Sequence, residues 1–185
     1  MSDTWISIPI DEQTHVLATL NKLLHEVVPG LITSKSKNPP DPLGGCLVLT
    51  TADGAPIIAG LVSGVVPRTA VDRLMVVALE QANRLALHPF HLTSHSSRKP
   101  RAEIFDFHGD LQPWGQRGGA IRTSQHILSY AGYEFPEKWS EAAMFVLAIK
   151  LGWISQETVF RRISAKRNPH LRPLLEACIW VEYKD

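Results

Sequence analysis

Gly118 to Ile154 reads GGAIRTSQHILSYAGYEFPEKWSEAAMFVLAIKLGWI, and the order of its pieces decides the fold. A glycine pair opens a β-rich run, Gly132 to Pro136 supplies a turn, and an acidic start leads into a long apolar stretch with helical spacing. The glycines admit backbone conformations and close approaches that a Cβ would forbid. Their spacing matches neither a P-loop nor a dinucleotide-binding fingerprint, so the segment specifies strand, turn and helix and points to no reaction.

The same periodicities recur upstream. Asp11 can cap a helix whose positions Val16, Leu17, Leu20, Leu23, Leu24, Val27 and Val28 keep one face apolar until Pro29-Gly30 stops it. Thr33 to Gly45, rich in proline, glycine, serine and lysine, reads as a loop. Cys46 to Thr51 and Ala55 to Val62 are apolar β-rich runs joined through Asp53-Gly54, a strong hairpin signal. Pro67 suits the first turn of a second helix, with Val71, Leu74, Met75, Ala78, Leu79, Ala82, Leu85 and Ala86 as its stripe until His88-Pro89.

Downstream, Glu103 to Phe107 reads as a short strand and Ala120 to Ala131 as one strand or two short ones, together the far strands of the sheet. Glu137 to Leu151 is a third helix, and Gln156 towards Ala165 a fourth, apolar at Val159, Phe160 and Ile163 and basic at Arg161, Arg162, Lys166 and Arg167. CIWVEY at the end reads as an edge strand or a packed tail. The order helix, hairpin, helix, strands, helix predicts an α/β (α+β) sandwich with one antiparallel sheet flanked by helices and an extra C-terminal helix.

Composition narrows the function classes. With 185 residues, 44% of them hydrophobic, the chain suits one domain over 1–185, with a core at 11–152 and a helical extension at 153–185. Nineteen basic against eighteen acidic residues give no global electrostatic case for nucleic acid or an anionic membrane. No run approaches the roughly 18 apolar residues of a membrane span, and the start has no signal-peptide pattern, so a soluble, cytoplasmic protein is expected. Cys46 and Cys178, without CxxC spacing, fit buried reduced thiols better than a zinc site.

Three stretches together carry a family likeness: Cys46-Leu47-Val48-Leu49-Thr50-Thr51-Ala52-Asp53-Gly54, the strand start Gly118-Gly119-Ala120-Ile121, and Ser129-Tyr130-Ala131-Gly132 followed by Pro136 and Glu141-Ala142. In these and in element order the chain resembles the GlcG/HbpS family of profilin-like domains, which includes the C-terminal domain of PduO-type proteins. The resemblance covers about residues 11–152. It implies a domain that binds a small molecule, with haem or a corrinoid as candidate cofactors, and that assembles into homo-oligomers. Roadblock-like scaffolding domains share the helix-hairpin-helix opening and imply instead a protein-interaction module without catalysis.

Residues able to do chemistry gather between His88 and Arg122, in a segment that reads mostly as loop, where functional groups commonly sit on a rigid scaffold. His88, His91 and His95 lack the spacing of a metal motif, so no metal site is assigned. His95, Ser97 and Arg98 bring hydroxyl and cation together, while Arg117 and Arg122 flank Gly118 and Gly119, whose backbone N–H groups a ligand could approach. These seven residues form the candidate pocket for a small anionic or planar ligand. The competing expectation is that the glycines serve a bend and both arginines pair with Glu103, Asp106 or Asp110. There is no GxSxG elbow, and nothing selects a nucleophile and base, so a binding module is favoured over an enzyme. Trp5, Trp114, Trp139 and Trp153 are expected to be exposed and available to an interface or a flat ligand, with core packing the competing expectation for Trp153, which follows the third helix directly.

Overall fold

Every residue of β1 (Gly45–Thr51) is buried, and its alternate side chains enter two different cores. Leu47 and Leu49 point to one side of the sheet, Cys46 and Val48 to the other. The strand is central in an antiparallel sheet of order β2-β1-β6-β5, formed with β2 (Pro56–Val62), β5 (Ala120–Arg122) and β6 (His126–Gly132). That placement explains why GCLVLTT is an almost unbroken apolar run. The computed structural model describes residues 8–28, 31, 44–62, 66–97, 104–105, 111–112, 117–133 and 135–178.

Helices cover both faces. On the Leu47 side lie α1 (Ile10–Lys22, continued by a π-helical turn at Leu23–Val27), α3 (Glu137–Lys150), α4 (Gln156–Arg162) and α5 (Leu171–Ala177), through Val16, Leu20, Phe145, Val159 and Leu174. On the other side α2 (Arg68–Ala86) lays Leu74, Ala78, Ala82 and Leu85 against Cys46, Val48, Ile127 and Ala131. The result is the expected α/β fold, with a single four-stranded antiparallel sheet between helical layers. No helix among the described residues is long and apolar enough to cross a membrane.

The sequence-based boundaries need several corrections. Pro9, not Asp11, stands at the start of α1; Asp11 falls in the first turn, where its charge complements the helix dipole. Ala120 to Ala131 divides into two strands because Thr123 closes a turn, its N–H reaching the His126 carbonyl at 2.8 Å and its Oγ1 accepting the His126 N–H at 3.0 Å. β3 (Ile104–Phe105) pairs with β4 (Leu111–Gln112) in a separate ladder and adds nothing to the main sheet, whose β5 edge is met instead by a bridge from Thr93 to Ile121. α4 ends at Arg162, and α5, unassigned from sequence, carries Pro173 in its first turn, where the missing N–H costs nothing.

Trp139 departs from the expected exposure, and Trp153 follows the packed alternative. Trp139 is buried and stacks on His170 at 4.2 Å, and Trp153 is half-buried against His126 at 4.5 Å. Trp5, Trp114 and the terminal segment from Ile179 lie outside the described residues. Cys46 and Cys178 are free and buried, and burial pushes both thiols up to about 11, which keeps them protonated and inert.

Candidate functional site

Where β5 begins and β6 ends, backbone and α2 come unusually close. Gly119 has φ +152°, and a Cβ there would lie 2.8 Å from Gln81 Oε1 and 2.9 Å from the Tyr130 carbonyl, so only glycine fits. Gln81 is buried on the inner stripe of α2 and needs partners. It finds them on both sides, donating from Nε2 to the Gly118 carbonyl at 3.2 Å and accepting from Ser129 Oγ at 2.9 Å. One turn later the buried Arg84, neutralised by Glu80 at 2.6 Å, donates to the carbonyls of Ser94 and Arg117, the latter at 2.6 Å. Ser94 Oγ in turn accepts the Ala120 N–H at 3.0 Å. Two α2 side chains thus fix the whole entry into β5.

A cavity of about 240 Å³ lies beside this entry. α2 contributes Arg73, Leu74, Val77 and Gln81 to its wall, the loop Arg117 and Gly118, the end of β6 Tyr130 to Gly132, and the next segment Phe135, Glu137 and Ser140. Glu137, the first residue of α3, accepts the Gly118 N–H at 2.8 Å and faces His95 Nδ1 at 3.5 Å. The Tyr130 phenol is buried, which raises its pKa and keeps it neutral. The cavity therefore carries two guanidinium-bearing residues, one carboxylate and an apolar wall.

The candidate residues from sequence scatter around this geometry. Arg117 and Gly118 line the cavity; Gly119 stands behind it, against Gln81; His95 stands beside it, against Glu137. Ser97 ends the short 3-10 turn Ser94–Ser97, and Arg98 lies outside the described residues, as do the proposed partners Glu103, Asp106 and Asp110. Arg122 is placed elsewhere. Its guanidinium donates to the Ala52 carbonyl at 2.7 Å and to the Leu85 and Ala86 carbonyls at the end of α2, and it does not line the cavity.

Sequence reasoning passed over Arg73, Gln81, Arg84, Glu137 and Ser140. Gln81 and Arg84 had a signal: both interrupt the apolar stripe of α2, and a polar residue there must find partners at depth. Glu137 looked like an ordinary acidic helix start. Nothing in the spacing joins Arg73 to a loop that begins over forty residues later.

The basic C-terminal segment supports the same region. Arg167 donates to Thr93 Oγ1 and, at 3.1 Å, to Ser96 Oγ, and lies 4.0 Å from the buried Glu141. Asn168 Nδ2 reaches the Lys138 carbonyl at 2.8 Å and Glu141 Oε1 at 3.1 Å. These contacts brace the 3-10 turn that holds His95 and the first two turns of α3. His88 and His91 stack ring on ring at 5.0 Å, and among the described residues no three His, Cys, Asp or Glu side chains converge as metal ligands. No family model matches this chain, and no curated protein or solved structure matches it either.

Proposed function

We propose that this chain is a cytoplasmic small-molecule-binding domain of GlcG/HbpS type whose ligand is a small anionic metabolite. One observation carries the reading: a cavity of about 240 Å³ lined by both Arg73 and Arg117. Guanidinium groups recognise carboxylate or phosphate with paired N–H donors. The haem or corrinoid implied by the resemblance does not fit. Sites for drug-sized ligands run from roughly 300 to 1,000 Å³, and a macrocycle needs more room than this cavity offers. Among the described residues its lining also includes no histidine for an axial bond.

Binding without chemistry agrees with the state of two buried side chains that carry a hydroxyl and a thiol. Ser129 donates its hydroxyl to Gln81, and Cys46 is held as a thiol. Thermal denaturation with a panel of small carboxylates and phosphates tests the proposal, with absorbance titrations of haem and cobalamin alongside. A small anion should raise Tm in the native chain and not in Arg117→Ala, and both cofactor spectra should stay unperturbed. A panel in which no anion moves Tm refutes the reading.

A further inference from the structure

One stretch of the chain is far from neutral. Residues 158–175 hold five lysines and arginines and no acidic residue, in a protein whose formal net charge is +1. We propose that the surface formed by Arg161, Arg162, Lys166 and Arg172 is a docking site for the phosphate backbone of a nucleic acid duplex.

Fold and charge divide this segment between them. Val159, Ile163, Leu171 and Leu174 are buried in the main core, and the fifth cation, Arg167, is engaged by Thr93, Ser96 and Glu141. The other four are exposed, and among the described residues none of them meets a carboxylate within ion-pair distance. They share one neighbourhood, because the Arg172 guanidinium lies 5.1 Å over the ring of Phe160, the residue that precedes Arg161. The turn that carries Lys166 is pinned by the Arg167 N–H on the Ser164 carbonyl at 3.0 Å and by Asn168 on the Lys138 carbonyl of α3 at 2.8 Å. A backbone held in this way loses little freedom when a partner docks.

Each class of polyanionic partner makes a different demand. A helix that binds a membrane surface inserts an apolar face, and here the apolar side of both helices is already in the core. A protein interface is anchored by aromatic or apolar side chains at its centre, and the nearest one, Phe160, is half-buried beneath Arg172. A duplex backbone asks for cations alone. Guanidinium pairs with phosphate through two parallel N–H donors, and three of the four side chains are arginines.

The test is fluorescence anisotropy of the full chain with labelled DNA duplexes of about 20 base pairs in two unrelated sequences, from low to physiological salt. Both should bind alike, with log K falling against log salt at a slope of about −3 to −4, the value for four phosphate contacts. The triple variant Arg161→Gln, Arg162→Gln, Lys166→Gln should bind at least about tenfold more weakly at low salt and bring the slope to about −1, since each phosphate contact accounts for roughly one unit of slope. Its three positions are exposed and lie outside the cavity, so its Tm and any anion-induced rise in Tm should match the native chain's. The slope on the native chain does not depend on the variant's folding. A native chain that leaves both duplexes unbound at low salt, a slope near zero, or a folded variant that binds as tightly as the native chain overturns the proposal. Preference for polyglutamate or for phosphatidylserine vesicles over the duplexes overturns it too, and assigns the surface to an acidic protein or to a membrane.

Discussion

The two ends of β5 carry the same residue type and use it in opposite ways. At the N-terminal end, the Gly118 and Arg117 carbonyls are met by Gln81 and Arg84 from α2, and the Arg117 side chain is left exposed at a cavity. At the C-terminal end, Arg122 closes the structure by donating to Ala52, Leu85 and Ala86. The difference lies in what the neighbouring backbone needs. The last carbonyls of a helix have no partner within it, and Leu85 and Ala86 are the last residues of α2. A guanidinium within reach of them is recruited to the fold. At the other end α2 supplies the donors itself, and the Arg117 side chain stays at the cavity.

The largest expected effect bears on what holds the open end in place. Arg167 and Asn168 brace the Thr93–Ser96 turn and α3, while Leu171, Leu174 and Leu175 are buried in the main core. Deleting one such leucine side chain typically costs about 2–5 kcal/mol, and a whole domain is stable by only about 5–15 kcal/mol. Truncation after Ser155 should therefore leave a chain with no cooperative melting transition by circular dichroism. An unchanged Tm would show that the segment is appended to the fold and that the open end stands without it.

A paired substitution tests the comparison directly. Arg122→Met removes a donor from three carbonyls, of which Leu85 also accepts the His88 N–H at 3.1 Å, and should lower stability by about 2 kcal/mol, within the range for lost hydrogen bonds to a charged group. For a chain of this size that is a fall in Tm of about 4–8 °C. Arg117→Met, at an exposed side chain, should stay within about 0.5 kcal/mol of the native chain, yet lose the anion-induced rise in Tm. If the two variants behave alike, the distinction between a closing and an open end is wrong.

The sequence made the layers legible because their causes are local. GCLVLTT had to be buried on both faces, Asp53-Gly54 had to turn, and the α2 stripe had to face apolar strands. The surroundings of the candidate cavity were legible by half. Gly118, Gly119 and Arg117 were found through glycine chemistry, whereas Arg122 was assigned to a ligand because sequence adjacency shows charge and hides the orphaned carbonyls of a distant helix end. Arg73 and Glu137 were missed for the same reason. They meet Gly118 only after α2 and α3 pack on the sheet from different sides, and no spacing encodes that meeting.

The smallest effect concerns the dryness of the closed end. His126 begins β6 opposite the Thr123 turn, is 6% exposed, and its Nε2 has no hydrogen-bond partner among the described residues. Burial holds the imidazole below its ordinary value of 6.5, with Glu12 opposing part of that shift. The sign follows from proton uptake: below 6.5 the unfolded chain protonates this histidine while the folded chain resists. The stability it contributes is thus complete above 6.5 and is lost as pH falls through the lower folded value. Melting curves at about pH 7.5 and about pH 5.5 should show a decrease in Tm that His126→Leu reduces, the exposed histidines being common to both chains. Comparing the two pH slopes cancels whatever the substitution does to packing. Equal slopes would mean that water reaches His126, and that this end of β5 is no drier than the end that opens on the cavity.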